Sequence, residues 1–329
     1  MLLNKQNFEI LDTIEKITIA DSFIKGNNKI GGGHGESKLY IGQITDNKIV
    51  NFFNISQQRG KEFNCFVLKQ DLLKYLDEIK LEYQNPTQEY KNKLELPMLW
   101  NERYLQISAM DNFLPFMLKD QDQLKPPRIY FNTIKRNKNF DTIREITLPN
   151  LSYLSCIKLQ NKQTKEFLFY FRVFADLSYL NITLEENKII ESINKNQRIS
   201  QSEKEKISSS RIGQGKYREA LLSECPFCPV TMVSDDRLLI ASHIKPWRMC
   251  DDFEKTDPKN GFMLTPTIDF LFDKGFISFS DDKQMLLSPW ISKITYKNLN
   301  LIENKKYSML NIEGRETYLS FHRNNIFKG

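Results

Sequence analysis

The stretch "ASHIKPW", residues 241–247, holds one of the chain's three histidines in a setting that suits chemistry on water. A neutral imidazole, with an ordinary pKa of about 6.5, takes a proton from water near neutral pH. Downstream, Asp269 and Asp273 lie four residues apart in "TIDFLFDKG", a spacing that projects both carboxylates from one helical face. Hard oxygen donors of that kind suit magnesium or another divalent cation. Asn260 opens an Asn-Gly pair between the histidine and the aspartates. The pair is a type I′ turn signal, and the Asn260 carboxamide can hold the histidine loop by hydrogen bonds to its backbone. Cys225 and Cys228 in "CPFC" supply half of a tetrahedral zinc site, with Cys250 and His322 as the remaining candidates. Two reduced structural thiols are favoured over bound zinc.

The elements that must position these residues follow from patterning. "RLLIASHI" reads as a short buried strand ending at His243. "NGFMLTPTIDFLFDKGF" offers a turn, a second strand and a short helix closed by Gly275. "GKYREALLSE" spaces Tyr217, Leu221 and Leu222 on one face of a helix. The predicted order around the site is strand, loop, strand, helix.

"LLIASHIKPW" followed by "DPKNGFMLTPTIDFLFDKGFISFSDD" resembles the HNH nuclease family, with its ββα-metal fold, and in particular its restriction-endonuclease branch. "RIGQGKYREALL" and "YLSFHRNNIF" resemble the ends of that module, so the resemblance covers residues 211–327. It implies a general base at His243, the central asparagine at Asn260, a metal-binding position at Asp269 and a second helical ligand at Asp273. One position departs from the pattern: many members carry a metal ligand directly before the base, and this chain has Ser242. The implied activity is metal-dependent hydrolysis of DNA by a type II restriction enzyme; separate recognition and nuclease domains would also suit cutting outside the site. The rivals are a modification-dependent restriction enzyme and a non-catalytic DNA-binding protein with a degenerate nuclease fold. Double-stranded DNA is the implied partner, with a homodimer on it and a cognate DNA methyltransferase in the same system. Lys245, Arg248 and Arg218, close to the catalytic strand, are the candidates for phosphate contacts.

The first 185 residues lie outside the resemblance. "KLYIGQI", "EFNCFVL", "REITLPNLSYL" and "EFLFYFRVFADL" read as strands, and "KQDLLKYLDEIKLEY" as helix. The expected fold class is therefore α+β: a mixed α/β recognition domain over 1–185, a linker or connecting helix over 186–210, and the nuclease domain over 211–329. Residues 123–140, "QLKPPRIYFNTIKRNKNF", carry five basic residues and no acid. Lys125, Arg128, Lys135 and Arg136 there suit phosphates, and Asn132, Asn137 and Asn139 suit base edges. "GGGHG" at 31–35 lacks the Lys-Ser/Thr of a phosphate-binding loop and reads as a turn. A formal charge of +6 identifies no partner by itself. Five cysteines are an odd number for a disulfide framework and point to a reducing compartment. Charges arrive too early in "MLLNKQNFEILDTIEK" for a signal peptide, and no apolar run reaches the roughly 20 residues of a membrane helix. A cytoplasmic protein without a membrane partner is expected.

Overall fold

The protein is described by a computed structural model over residues 1–3, 6–32, 36–55, 60–123, 127–134, 136–176 and 217–329. The expected linker at 186–210 and Gly33–Gly35 lie outside the described residues. The chain divides into two compact units, Met1–Glu185 and Glu186–Gly329.

In the first unit the strands are β1 (Leu2–Leu3), β2 (Gln6–Thr18), β3 (Leu39–Gln43), β4 (Glu62–Leu68), β5 (Phe113–Gln123), β6 (Arg128–Thr133), β7 (Ser152–Asn161) and β8 (Phe167–Ala175). They form one eight-stranded sheet in the order β1-β2-β7-β8-β4-β5-β6-β3. Every neighbouring pair is antiparallel except β4 with β8, where Cys65 faces Phe169. The helices are α1 (Asn47–Phe53), α2 (Lys69–Glu78), α3 (Lys80–Gln84), α4 (Leu96–Ser108) and α5 (Lys138–Ile146). This is an α+β arrangement. Alternation in β4 sends Phe63, Cys65 and Val67 to the main core. There the rings of Phe53, Phe63, Phe131 and Phe169 pack with centroids 4.7–5.6 Å apart.

One expected strand is corrected. "REITLPNLSYL" begins as the last turn of α5, and β7 starts only at Ser152. The Asn137 side chain caps α5 by accepting from the Asn139 and Phe140 amides, at 3.0 and 3.2 Å, and Phe140, Ile143 and Ile146 make its buried face. A helix with its own cap and apolar stripe outcompetes the β-propensity of "REIT".

The second unit carries the expected order. β9 (Ile240–His243) pairs antiparallel with β10 (Gly261–Leu264), with His243 opposite Gly261, and α6 (Pro266–Asp273) follows at once. β11 (Ile277–Phe279) and β12 (Met285–Leu287) form a second pair, and a terminal helix spans Glu316–Asn325. β9 is only half-buried, with Ile240 exposed, where a buried strand was expected. The Asn-Gly pair is not a type I′ turn. Pro258–Asn260 is a 3-10 turn capped by the Asp257 side chain, and Gly261 is extended at φ −167°. Glycine is required at 261 by space, because a Cβ there would lie 2.0 Å from the Tyr217 hydroxyl and 2.9 Å from the Ser242 carbonyl. Buried Arg315 donates to the Gly261 carbonyl at 3.0 Å and pairs with Glu224 at 2.7 Å, tying β10 to the helical stretch 217–224. Among the described residues no helix is long and apolar enough to cross a membrane.

Candidate active site

His243 ends β9 half-buried, with its ring held on two sides. Its Nε2 lies 3.1 Å from the Lys255 carbonyl oxygen. A carbonyl only accepts, so Nε2 carries the hydrogen and Nδ1 keeps its lone pair. The Tyr217 ring stacks on the imidazole, with centroids 4.1 Å apart and planes 14° from parallel. Tyr217 is itself fixed, since its hydroxyl donates to the Asn260 carbonyl at 2.9 Å. Burial holds the His243 pKa below its ordinary value, and the bond to the Lys255 carbonyl opposes that shift only in part. The imidazole is therefore neutral at neutral pH, the state a base needs.

Asn260 is fully buried and organises the loop between the strands. Its Oδ1 accepts from the Lys245 amide at 2.8 Å, and its Nδ2 donates to the Glu254 carbonyl at 3.0 Å and to Cys250 Sγ at 3.2 Å. Its own carbonyl also accepts the Ile244 amide at 3.0 Å. Asp251 and Glu254 cap each other reciprocally at 2.8 and 3.0 Å, which stiffens the far side of the loop that delivers the Lys255 carbonyl.

Ser242 and Asp269 come together. Ser242 is buried, and its hydroxyl acts to lower the Asp269 pKa. Burial raises the Asp269 pKa, the Ser242 hydroxyl opposes this, and the Asp273 charge adds to the rise. Asp273 itself is exposed and pairs with Lys274 at 2.9 Å. The donors that meet are thus one half-buried carboxylate and one hydroxyl, with a second carboxylate at the rim. Hard oxygens fit magnesium, which keeps several of its waters and needs few protein ligands. They make no closed cage: among the described residues no three His, Cys, Asp or Glu side chains gather to hold a metal.

The zinc alternative meets the same limit. Cys225 and Cys228 are free thiols, and Cys228 is wholly buried beside the Thr265 hydroxyl. Cys250 is occupied in the Asn260 loop. His322 is buried with both nitrogens bonded, Nε2 to the Phe272 carbonyl at 3.0 Å and Nδ1 to the Ser278 hydroxyl at 2.9 Å. Neither completes a site around the knuckle.

The expected phosphate contacts separate into engaged and open cations. Lys245 is drawn to Glu254 at 2.5 Å, and Arg218 donates to the Leu239 and Asp236 carbonyls at 2.7 and 2.5 Å, a structural role. Arg248 is exposed. In the first unit Arg128 is exposed on β6, and Arg136 is exposed with Asp141 at 3.5 Å. Lys125 and Lys135 lie outside the described residues. Asn137 and Asn139 are committed to the fold, the first as the α5 cap and the second donating to the Pro115 carbonyl at 2.8 Å. Two groups at the site left little mark in the sequence: Tyr217, whose spacing marked only a helical face, and the Lys255 carbonyl, which no side-chain pattern reports.

Residues 228–280 match the HNH endonuclease family, a segment that contains Ser242, His243, Asn260, Asp269 and Asp273 and excludes Tyr217 and the whole first unit. No curated protein matches the chain.

Proposed function

We propose that this chain is a metal-dependent DNA endonuclease in which the HNH segment cuts and the first unit selects the site, as in a type II restriction enzyme that cuts outside its recognition sequence. The observation that carries the reading is the imidazole of His243, fixed by strand, stacked ring and carbonyl with the Nδ1 lone pair left over. Nδ1 takes a proton from water as the water oxygen attacks phosphorus and the bond to the leaving oxygen breaks. The Lys255 carbonyl then faces the N–H of an imidazolium and stabilises it. Asn260 holds the loop that carries that carbonyl, and so acts through the base. Asp269, with the Ser242 hydroxyl and Asp273 at the rim, would hold a divalent cation. Bound there, the cation supplies charge stabilisation to the phosphate and leaving oxygen.

A second reading, a DNA-binding protein that has lost catalysis, is favoured by one feature: buried Ser242 occupies the place a second strong ligand would take. Digestion of methylated and unmethylated plasmid with magnesium separates the readings. Cutting of unmodified DNA that is lost in His243→Ala supports the restriction enzyme, and cutting confined to methylated DNA supports a modification-dependent one. Binding without cutting in any metal sinks the nuclease.

A further inference from the structure

The loop that carries the Lys255 carbonyl also presents side chains that the chemistry does not use. Trp247 is 44% and Met249 47% exposed, with exposed Arg248 between them in the 3-10 turn Trp247–Met249. This is not a frayed loop. The Met249 amide donates to the Pro246 carbonyl at 2.7 Å, and the Cys250 amide to the Trp247 carbonyl at 3.2 Å. The Cys250 thiol donates to the Lys245 carbonyl at 3.2 Å while accepting from buried Asn260. The turn thus holds two large, partly exposed apolar side chains in fixed positions on either side of an exposed cation.

We propose that the turn Trp247–Met249 is a DNA wedge: Trp247 and Met249 press against the bases beside the scissile phosphate while Arg248 takes a neighbouring phosphate. The proposal rests on the nuclease reading and adds the contact that seats its substrate. Two observations choose DNA as the occupant. The first is position, because one residue joins the turn to the base: Lys255 bonds His243 through its carbonyl at 3.1 Å, and its ammonium lies 4.9 Å from the centre of the Trp247 ring. The second is charge. Lys245 and Lys255 are matched by Glu254 and Asp252, whereas Arg248 pairs with no acid among the described residues. Apolar side chains that part base steps beside a phosphate-binding cation are a recurring way of gripping duplex DNA. Asp251, which pairs with no cation among the described residues, repels phosphate on its side of the turn.

Trp247 carries its own reporter. The other tryptophans, Trp100 and Trp290, are buried at 8% and 3% exposure, so the water-exposed indole emission belongs to Trp247. The full chain, in EDTA to prevent cutting, is titrated with unmethylated plasmid fragments, and binding is followed in parallel by anisotropy of labelled DNA. The expected result is quenching of the red-edge emission in step with binding, and its loss in Trp247→Phe. Trp247→Ala should weaken binding about fivefold to a hundredfold, the range of lost base–aromatic stacking. Arg248→Ala should lower the slope of log K against log salt by about one. Binding that leaves the emission unchanged, or Trp247→Ala that binds and cuts like the parent, overturns the wedge while the nuclease reading stands. A blue shift that grows with protein concentration in the absence of DNA assigns the turn to self-association and overturns it too. A chain that neither binds nor cuts DNA ends both.

Discussion

At the scale of single residues, the behaviour of His243 is set by what touches its ring. Burial lowers its pKa, so the neutral base persists below the ordinary 6.5, and cleavage should fall on the acid side with a midpoint below that value. His243→Ala should slow cleavage roughly 10²- to 10⁴-fold at unchanged DNA affinity, because it removes a proton acceptor and no phosphate contact. Substantial cutting by the folded variant would show that another group is the base. Tyr217→Leu removes the stacked ring and admits water, so kcat should drop and the acid limb move up toward 6.5. Tyr217→Phe keeps the ring and should keep the limb, and identical pH profiles in all three proteins would reduce Tyr217 to packing. Ser242 and Asp269 give a matching test at the metal. Asp269→Ala should abolish activity at every magnesium concentration, while Ser242→Asp should lower the concentration needed for half-maximal rate. If Asp269→Ala keeps the parental metal dependence, the ion lies elsewhere. His243 was legible in the sequence because histidine is scarce in this chain, and Asn260 because of its spacing from that histidine. The Lys255 carbonyl was not, since every residue has one.

At the scale of elements, the helix that carries Asp269 is anchored at its far end. Gly275, at φ +69°, closes α6: its amide donates to the Phe272 carbonyl at 2.9 Å and the Phe276 amide to the Leu271 carbonyl at 2.7 Å, the pair of bonds of a Schellman cap. His322 adds a third tie through its bond to Phe272. Its pKa is pushed down to about 4, chiefly by burial. An unfolded chain binds that proton near 6.5 and the native one only near 4, so between those values acid favours unfolding. The loss should reach ~3 kcal/mol at pH 4 and level off below it. Urea titrations of the parent and His322→Gln at pH 7 and 4.5 check this, and an unchanged pH dependence in the variant would locate the titrating group elsewhere. The sequence patterning matched β4 residue for residue and came within two residues of β3 and β8 at either end, because alternation of apolar side chains is local information. It misjudged "REIT", where a cap seven residues upstream decides, and the Asn-Gly pair, where a tyrosine 44 residues earlier determines why glycine is needed. Packing between distant segments is what the local pattern does not contain.

At the scale of the whole molecule, the HNH match ends well inside the second unit, and the first must be interpreted from its surface. Its sheet is closed by a large aromatic core that accounts for Phe131 and Phe140, and Asn137 and Asn139 serve the fold, so the stretch 123–140 offers DNA less than its composition suggested. Among the described residues there, Arg128, Arg136 and Lys138 remain exposed to a polyanion. If the first unit selects the site, these two arginines should steer affinity and leave chemistry alone. Arg128→Glu with Arg136→Glu, made in the full chain, should lower the slope of log K against log salt by about two, one for each lost phosphate contact. The cleavage rate at saturating DNA should stay at the parental value, because neither side chain belongs to the HNH segment. Run-off sequencing of the products then reads selectivity directly: relaxed cut positions place recognition on this face. A parental salt slope together with parental cut sites would take the face out of DNA contact and leave site selection to the second unit.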